Sequence, residues 1–240
     1  VAPCYAPSMI FRQLFDRESC TYTYLLGDED SGEAVLIDPV LEHVDRDAQL
    51  IAELGLSLKY TLETHVHADH ITGSGRLRER LACETVVGCC SGADCADVQV
   101  DQGDAVTFGP HRLEVLSTPG HTVCSVSYSL PAHRMLFTGD ALLVRGCGRT
   151  DFQGGDARAL FHSIREKLFV LDESTTVYPG HDYQGRTCTT VGEERRFNPR
   201  AGLERSEDEF VEIMASLNLD PPAKIDIAVP ANKACGLPQG

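Results

Sequence analysis

Apolar positions fall into short runs broken by turns through the first part of the chain. Ile10–Phe15, Thr21–Leu26 and Ala34–Ile37 read as strands, and the third ends at Asp38-Pro39, where proline stops a hydrogen-bonded ladder. The spacing then changes. Leu41, Val44, Ala48, Ile51 and Leu54 predict a helix over Leu41–Leu54, stopped by Gly55. Lys59–Leu62 is a short strand running into Glu63-Thr64-His65, and Thr72–Leu81 has a helical pattern. Four more strands are expected at Ala105–Phe108, Arg112–Leu116, Cys124–Ser129 and Arg134–Phe137. An amphipathic helix follows over Asp156–Val170, with Leu160, Phe161, Ile164 and Leu168 on one face, and then a strand at Thr175–Tyr178. Ser206 to Glu209 has the form of a capping box ahead of Phe210, Ile213, Met214 and Leu217. The proline-rich tail from Pro221 is expected to wrap the surface. Two similar sets of strands and helices, with no linker between them, favour an α/β sandwich of two sheets with helices outside, one domain over residues 1–240.

Composition narrows the function classes. The chain has 36 acidic and 21 basic residues, a formal charge of −15. Such a surface repels phosphate backbones and no basic run interrupts it, which argues against nucleic-acid binding. No apolar run approaches the roughly 20 residues of a membrane helix. An anionic small substrate needs arginines gathered locally. The 10 cysteines are irregularly spaced without a CxxC pair, and 240 residues do not need a disulfide scaffold to build a core. Val1–Ser8 lacks a basic and an apolar signal region, so Met9 as a start and Val1 as the end left by a removed targeting peptide both stay open. A reducing compartment, bacterial cytoplasm or mitochondrial matrix, is the expectation.

Five of the nine histidines belong to one pattern: His65-Val-His67-Ala-Asp69-His70, then Gly120-His121, Gly139-Asp140 and Gly180-His181. Each group follows a predicted strand, where a loop at a sheet edge aims side chains into a cleft. Imidazoles with carboxylates suit zinc, iron or manganese. A single such histidine would be an ordinary buried or solvated residue, but the clustering points to a metal. Glycine before His121, Asp140 and His181 permits tight turns and close approach.

These residues resemble the metallo-β-lactamase fold superfamily, whose αββα sandwich of two mixed β-sheets flanked by helices agrees with the order of elements. Val35–Val40, Thr138–Gln153 (with its Arg-Gly-Cys-Gly-Arg-Thr-Asp-Phe-Gln stretch), Tyr178–Tyr183 and Glu193–Pro199 are similar to the persulfide dioxygenases, the ethylmalonic encephalopathy protein family. The likeness runs from about Met9 to Gly236. It implies one non-haem Fe(II) per chain held by His65, His121 and Asp140, with His67, Asp69, His70 and His181 around it. In hydrolases of this fold the latter four complete a two-metal site, so a dinuclear centre also stays open. Asp38 either braces the histidine loop or serves a plain turn.

The implied reaction takes glutathione persulfide and O2. Arg145, Arg149 and Tyr183 are the candidates for binding it, against ordinary surface salt bridges for the arginines and a packing role for the tyrosine. Cys147 lies between two glycines of the same loop, either meeting sulfur substrates or filling space. Cys83, Cys89, Cys90 and Cys95 fit no zinc-site spacing. The first rival is a thioester hydrolase of the glyoxalase II type with two metals. Against it stand Arg149–Gln153 and a C-terminal region with little room for that family's extra helices. β-Lactam hydrolysis and a non-catalytic sulfide or redox sensor are the others, the sensor having no need of the full ligand set. Oligomeric state is open, homo-oligomer included.

Overall fold

The computed structural model describes residues 9–238. Its first sheet contains β1 (Met9–Phe15), β2 (Tyr22–Asp28), β3 (Glu33–Ile37), β4 (Ser57–Leu62), β5 (Glu84–Gly88) and β6 (Val98–Val100), side by side in that order. The β1–β2 and β2–β3 pairs are antiparallel and the next three are parallel. Parallel neighbours need a crossover. Helix α1 (Val44–Glu53) supplies it between β3 and β4, and α2 (Ser74–Leu81) between β4 and β5.

The second sheet contains β7 (Ala105–Phe108), β8 (His111–Ser117), β9 (Val126–Leu130), β10 (Met135–Gly139), β11 (Thr176–Pro179) and β12 (Thr189–Thr190). Only its β10–β11 pair is parallel, and α3 (Ala157–His162) lies in that crossover. Helices α4 (Val191–Phe197), α5 (Glu207–Ala215) and α6 (Ile225–Lys233) follow.

Period-two alternation sorts the strand side chains into layers. Tyr24, Leu26, Val35 and Ile37 face Val115, Tyr128, Leu130 and Phe137 of the other sheet in one shared core. The alternate residues Leu25, Ala34 and Leu36 pack outward on Ala48, Ile51 and Leu77 of α1 and α2. On the far side Leu136 and Val177 meet Leu160, Phe210 and Met214 of α3 and α5. Both sheets are therefore covered on both faces, the expected αββα order.

Two expectations are corrected. The helix over Asp156–Val170 is α-helical only to His162 and π-helical over Ser163–Leu168. There the Ser163 hydroxyl bonds the Pro119 carbonyl and Lys167 the Ser117 carbonyl, anchoring the wider turn to the loop that carries His121. The tail does not merely wrap the surface but forms α6, with Pro230 inside it. Proline argued against a helix because it removes a donor. Cys95 and Cys235 also form a disulfide, a pairing that the irregular cysteine spacing does not reveal. Cys4 lies outside the described residues.

Candidate metal centre

The histidine loop leaves the C-terminal end of β4, and three further loops leave the ends of β8, β10 and β11. They converge because β4 belongs to one sheet and the others to the second, and the sheets are pressed together along the shared core. One donor atom each from His65, His121 and Asp140 lies within 4.8 Å of the others. Two glycines make the approach feasible. A Cβ on Gly120 (φ +135°) would stand 2.3 Å from the Leu160 backbone, and one on Gly139 (φ +50°) 2.4 Å from the Thr64 hydroxyl.

Each ligand candidate is oriented by a partner on its far side. The Thr64 hydroxyl donates to Asp38 Oδ2 at 2.8 Å and lies 2.9 Å from His65 Nδ1. With its proton given to Asp38, it accepts from Nδ1–H and leaves Nε2 of His65 with its lone pair toward the cleft. His121 Nδ1 donates to the Arg149 carbonyl at 2.7 Å, which fixes the same tautomer. Asp140 accepts from His181 Nδ1 through Oδ1 at 2.6 Å and turns Oδ2 toward His121 Nε2, 3.7 Å away. Two imidazole nitrogens and one carboxylate oxygen thus share a face. Burial and the neighbouring His67 and His121 hold the His65 pKa well below its usual value, so its nitrogen is not closed by a proton. Burial alone would raise the Asp140 pKa, but His181, His121 and His65 outweigh it and keep the carboxylate ionised.

Of the other four motif residues, Asp69, His70 and His181 are engaged with one another. Asp69 Oδ2 lies 2.9 Å from His70 Nδ1, 3.0 Å from His181 Nε2 and 3.1 Å from the Thr21 hydroxyl. His181 therefore meets a carboxylate at each ring nitrogen. Burial opposes its charge, but Asp140 and Asp69 prevail and raise its pKa well above normal. His67 sits between Asp38 (3.1 Å) and Glu63 (3.5 Å). There too burial is outweighed, mainly by Asp38, and the pKa is pushed up to about 9. Asp38, in a left-handed conformation (φ +49°), also accepts from the Thr64 amide at 2.7 Å, so it braces the histidine loop as well as turning the chain.

A cleft of about 660 Å³ opens over His121, Asp140, Asp69 and His181, lined also by Arg145, Arg149, Tyr183, Arg200 and Lys224. Arg145 is held by the fully buried Glu194 and lies over the Phe197 ring. Arg149 grips Asp151 through two bonds of 2.7 Å and reaches the Asp220 carbonyl at 2.6 Å. Asp151 is 54% exposed, so a substrate carboxylate can exchange with it cheaply, whereas displacing Glu194 would strand a buried charge. Tyr183 stacks parallel on His181 and is 71% exposed toward the cleft. Cys147 lines the floor of the cleft but is buried, its sulfur 3.7 Å from that of Met214, and burial pushes its thiol pKa up to about 11.

Residues 19–88 and 96–181 match the family model of the metallo-β-lactamase superfamily. Human mitochondrial persulfide dioxygenase ETHE1 is 56% identical over 230 residues, spanning 95% of this chain and 89% of that protein. This chain belongs to the persulfide dioxygenases. The crystal structure of ETHE1 from Myxococcus xanthus superposes with a TM-score of 0.92 at 59% identity, covering 95% of this chain and all of that one. The hydroxyacylglutathione hydrolase of Brucella ovis is more distant, 36% identical over 69% of this chain and 63% of its own length. Membership of this family makes the chain an enzyme, an oxidoreductase. Among the described residues no helix is long and apolar enough to cross a membrane.

Sequence reasoning missed the supports behind the motif. Thr64, Thr21 and Glu63 carry no signature of their own, although Glu63 and Thr64 immediately precede His65. Asn232 lies 162 residues beyond His70, yet its side chain bonds that residue's carbonyl. Nothing local in the sequence pairs them.

Proposed function

We propose that the chain oxidises glutathione persulfide with O2 and water to glutathione and sulfite, at a single iron held by His65, His121 and Asp140. The balance is GSSH + O2 + H2O → GSH + SO3²⁻ + 2H⁺. The observation that carries the reading is the His65, His121 and Asp140 donor group in a chain 56% identical to human persulfide dioxygenase ETHE1. A second ion would fall to His67, Asp69 and His70, whose donor atoms also lie within 4.8 Å of one another, so the single-ion reading leans on the dioxygenase relatives. The glyoxalase II-type reaction depends on that second ion.

The donor set fits the metal: two Nε2 atoms with free lone pairs and one carboxylate oxygen suit non-haem iron. An iron(II) held by His65, His121 and Asp140 would supply the open coordination and the redox chemistry that oxidation of a persulfide sulfur by O2 requires. The protein's own groups bind and align. Arg149 receives a substrate carboxylate by exchange with Asp151, and Tyr183 offers its ring and hydroxyl at the same wall of the cleft. Arg145 keeps the loop in place through Glu194. Asp38 and Thr64 hold His65 in one tautomer, as His181 holds Asp140. Cys147 supports the loop from beneath rather than meeting the substrate. The chain acts as one domain, since a single core joins its sheets. We assign it to a compartment that supplies both thiols and O2, the mitochondrial matrix or a bacterial cytoplasm.

The test is metal analysis of anaerobically purified protein with O2 uptake on glutathione persulfide. One iron per chain with persulfide-dependent O2 consumption supports the assignment. Two metals per chain, no O2 uptake and hydrolysis of a glutathione thioester would overturn it.

A further inference from the structure

The loop that carries His67, Asp69 and His70 is held from behind by the C-terminal segment. Asn232 is buried, and its Nδ2 donates to the carbonyls of His67 and His70, both at 2.9 Å. Its Oδ1 accepts from the Thr72 amide at 2.8 Å. One carboxamide thus satisfies three backbone groups of the loop that begins at His65. Beyond Asn232 the chain turns onto the start of α2, where the Gly75 amide bonds the Cys235 carbonyl at 2.9 Å. A Cβ at Gly236 would stand only 2.0 Å from the Thr72 carbonyl oxygen, so this turn lies directly on the loop.

What keeps Asn232 there is thin. Of the nine residues of α6, only Ala228 and Asn232 are buried, and Ile227 is 67% exposed. Apolar packing of one alanine cannot fix a helix. The covalent tie is the Cys95–Cys235 disulfide, three residues past Asn232, which joins the segment to the β5–β6 loop. Arg78 secures that loop in turn by donating to the Cys95 carbonyl at 2.7 Å.

We propose that Asn232 is a positioning residue for the metal loop, and that the Cys95–Cys235 bridge is its redox-sensitive fastening. The inference rests on His65, His121 and Asp140 being the metal ligands. Cys235 is buried while Cys95 is partly exposed, so a small thiol reaches the Cys95 sulfur first. The thiolate of glutathione forms a bond to Cys95 Sγ, the S–S bond breaks, and Cys235 leaves as a thiolate that takes up a proton. A second glutathione resolves the mixed disulfide, giving glutathione disulfide and a Cys95 thiol, two electrons having entered the protein. Glutathione is also the thiol product of the proposed reaction, so its accumulation loosens the loop behind the catalytic metal.

The experiment compares oxidised and glutathione-reduced protein by two readouts. The first is amide hydrogen exchange at Thr72 in metal-free protein, and the second is release of bound iron(II) to a coloured chelator under anaerobic conditions. Reduction speeds both about tenfold, the scale on which outer supports tune metal sites. Cys95→Ser shows the fast rates and no response to glutathione. Asn232→Asp keeps the shape but removes both donors, and is fast in either redox state. If Cys95→Ser does not fold, reduction of the unaltered chain makes the same comparison. Unchanged Thr72 exchange on reduction, a persisting redox response in Asn232→Asp, or free thiols at Cys95 and Cys235 in protein prepared without reductant would each overturn the proposal. Failure of the ligand assignment looks different: the unaltered chain then binds no iron in either redox state, while Thr72 exchange still reports on the clamp.

Discussion

Replacing Thr64 by valine removes one hydroxyl and little else. That oxygen donates to Asp38 at 2.8 Å and lies 2.9 Å from His65 Nδ1, in a site that is 1% exposed. Valine has the same shape, so packing is preserved. The bond to the Asp38 carboxylate contributes about 1.5–3 kcal/mol and the one from His65 about 0.5–1.5 kcal/mol, the values for charged and neutral pairs. The metal-free protein should therefore lose about 2–4 kcal/mol of stability, read from the midpoint of urea unfolding. His65 also loses the acceptor that fixes its tautomer, which should weaken metal affinity about 10–100-fold. A tenfold loss corresponds to about 1.4 kcal/mol. Thr64→Ser separates the two causes. It keeps the hydroxyl, should retain metal affinity, and should lose only about 1 kcal/mol of stability for the missing methyl group. Chelator competition measures the affinities. If Thr64→Val binds iron as tightly as the unaltered chain, or if Thr64→Ser is as weak as Thr64→Val, the hydroxyl relay does not orient His65.

Gly148→Ala should abolish metal retention with the fold intact by circular dichroism, because its Cβ would stand 2.6 Å from the Asp140 carbonyl oxygen and 2.7 Å from His121 Nδ1. Arg149→Ala should raise KM for glutathione persulfide about tenfold or more with a smaller effect on kcat, the signature of lost substrate binding; an unchanged KM removes Arg149 from the binding role. Asp16 gives a pH prediction. Burial would raise its pKa, but Ser19 and His43 outweigh that and bring it down to about 2 from 3.8. A depressed carboxylate pKa contributes stability that is present above about pH 4 and lost as pH falls toward 2. Between pH 5 and pH 3 the urea midpoint of Asp16→Asn should consequently fall less than that of the unaltered chain, and equal falls would exclude Asp16 as a source of the acid limb.

The inner strands were readable because one residue in two faces a buried layer and turn residues bound each run. β2, β3 and β4 lie within two residues of their expected limits at each end. β5 and β6 were not anticipated: they are short, and the cysteine-rich stretch between them draws attention to metal chemistry instead of to pairing. α4 and α6 were hidden by brevity and by Pro230. The ligand residues themselves stood out through histidine spacing and preceding glycines. Their supports did not, since a threonine or an asparagine acquires its role only from what the fold brings beside it. Arg145 illustrates the same limit. Its loop near Asp140 marked it as a candidate for the cleft, which it lines, but its partner Glu194, 49 residues away on a helix, is visible only in the fold.

The proposed ligands come from different sheets: His65 follows β4, while His121 and Asp140 follow β8 and β10. A bound ion is then a rivet between two halves of the chain, and its affinity is also an affinity of one half for the other. Free metal at a hundred times its dissociation constant adds about 2.7 kcal/mol to global stability by mass action. During synthesis, no segment short of Asp140 contains the complete donor set. Metal capture at this site therefore has to follow docking of the sheets, and the melting temperature of the finished enzyme becomes a gauge of the metal available around it.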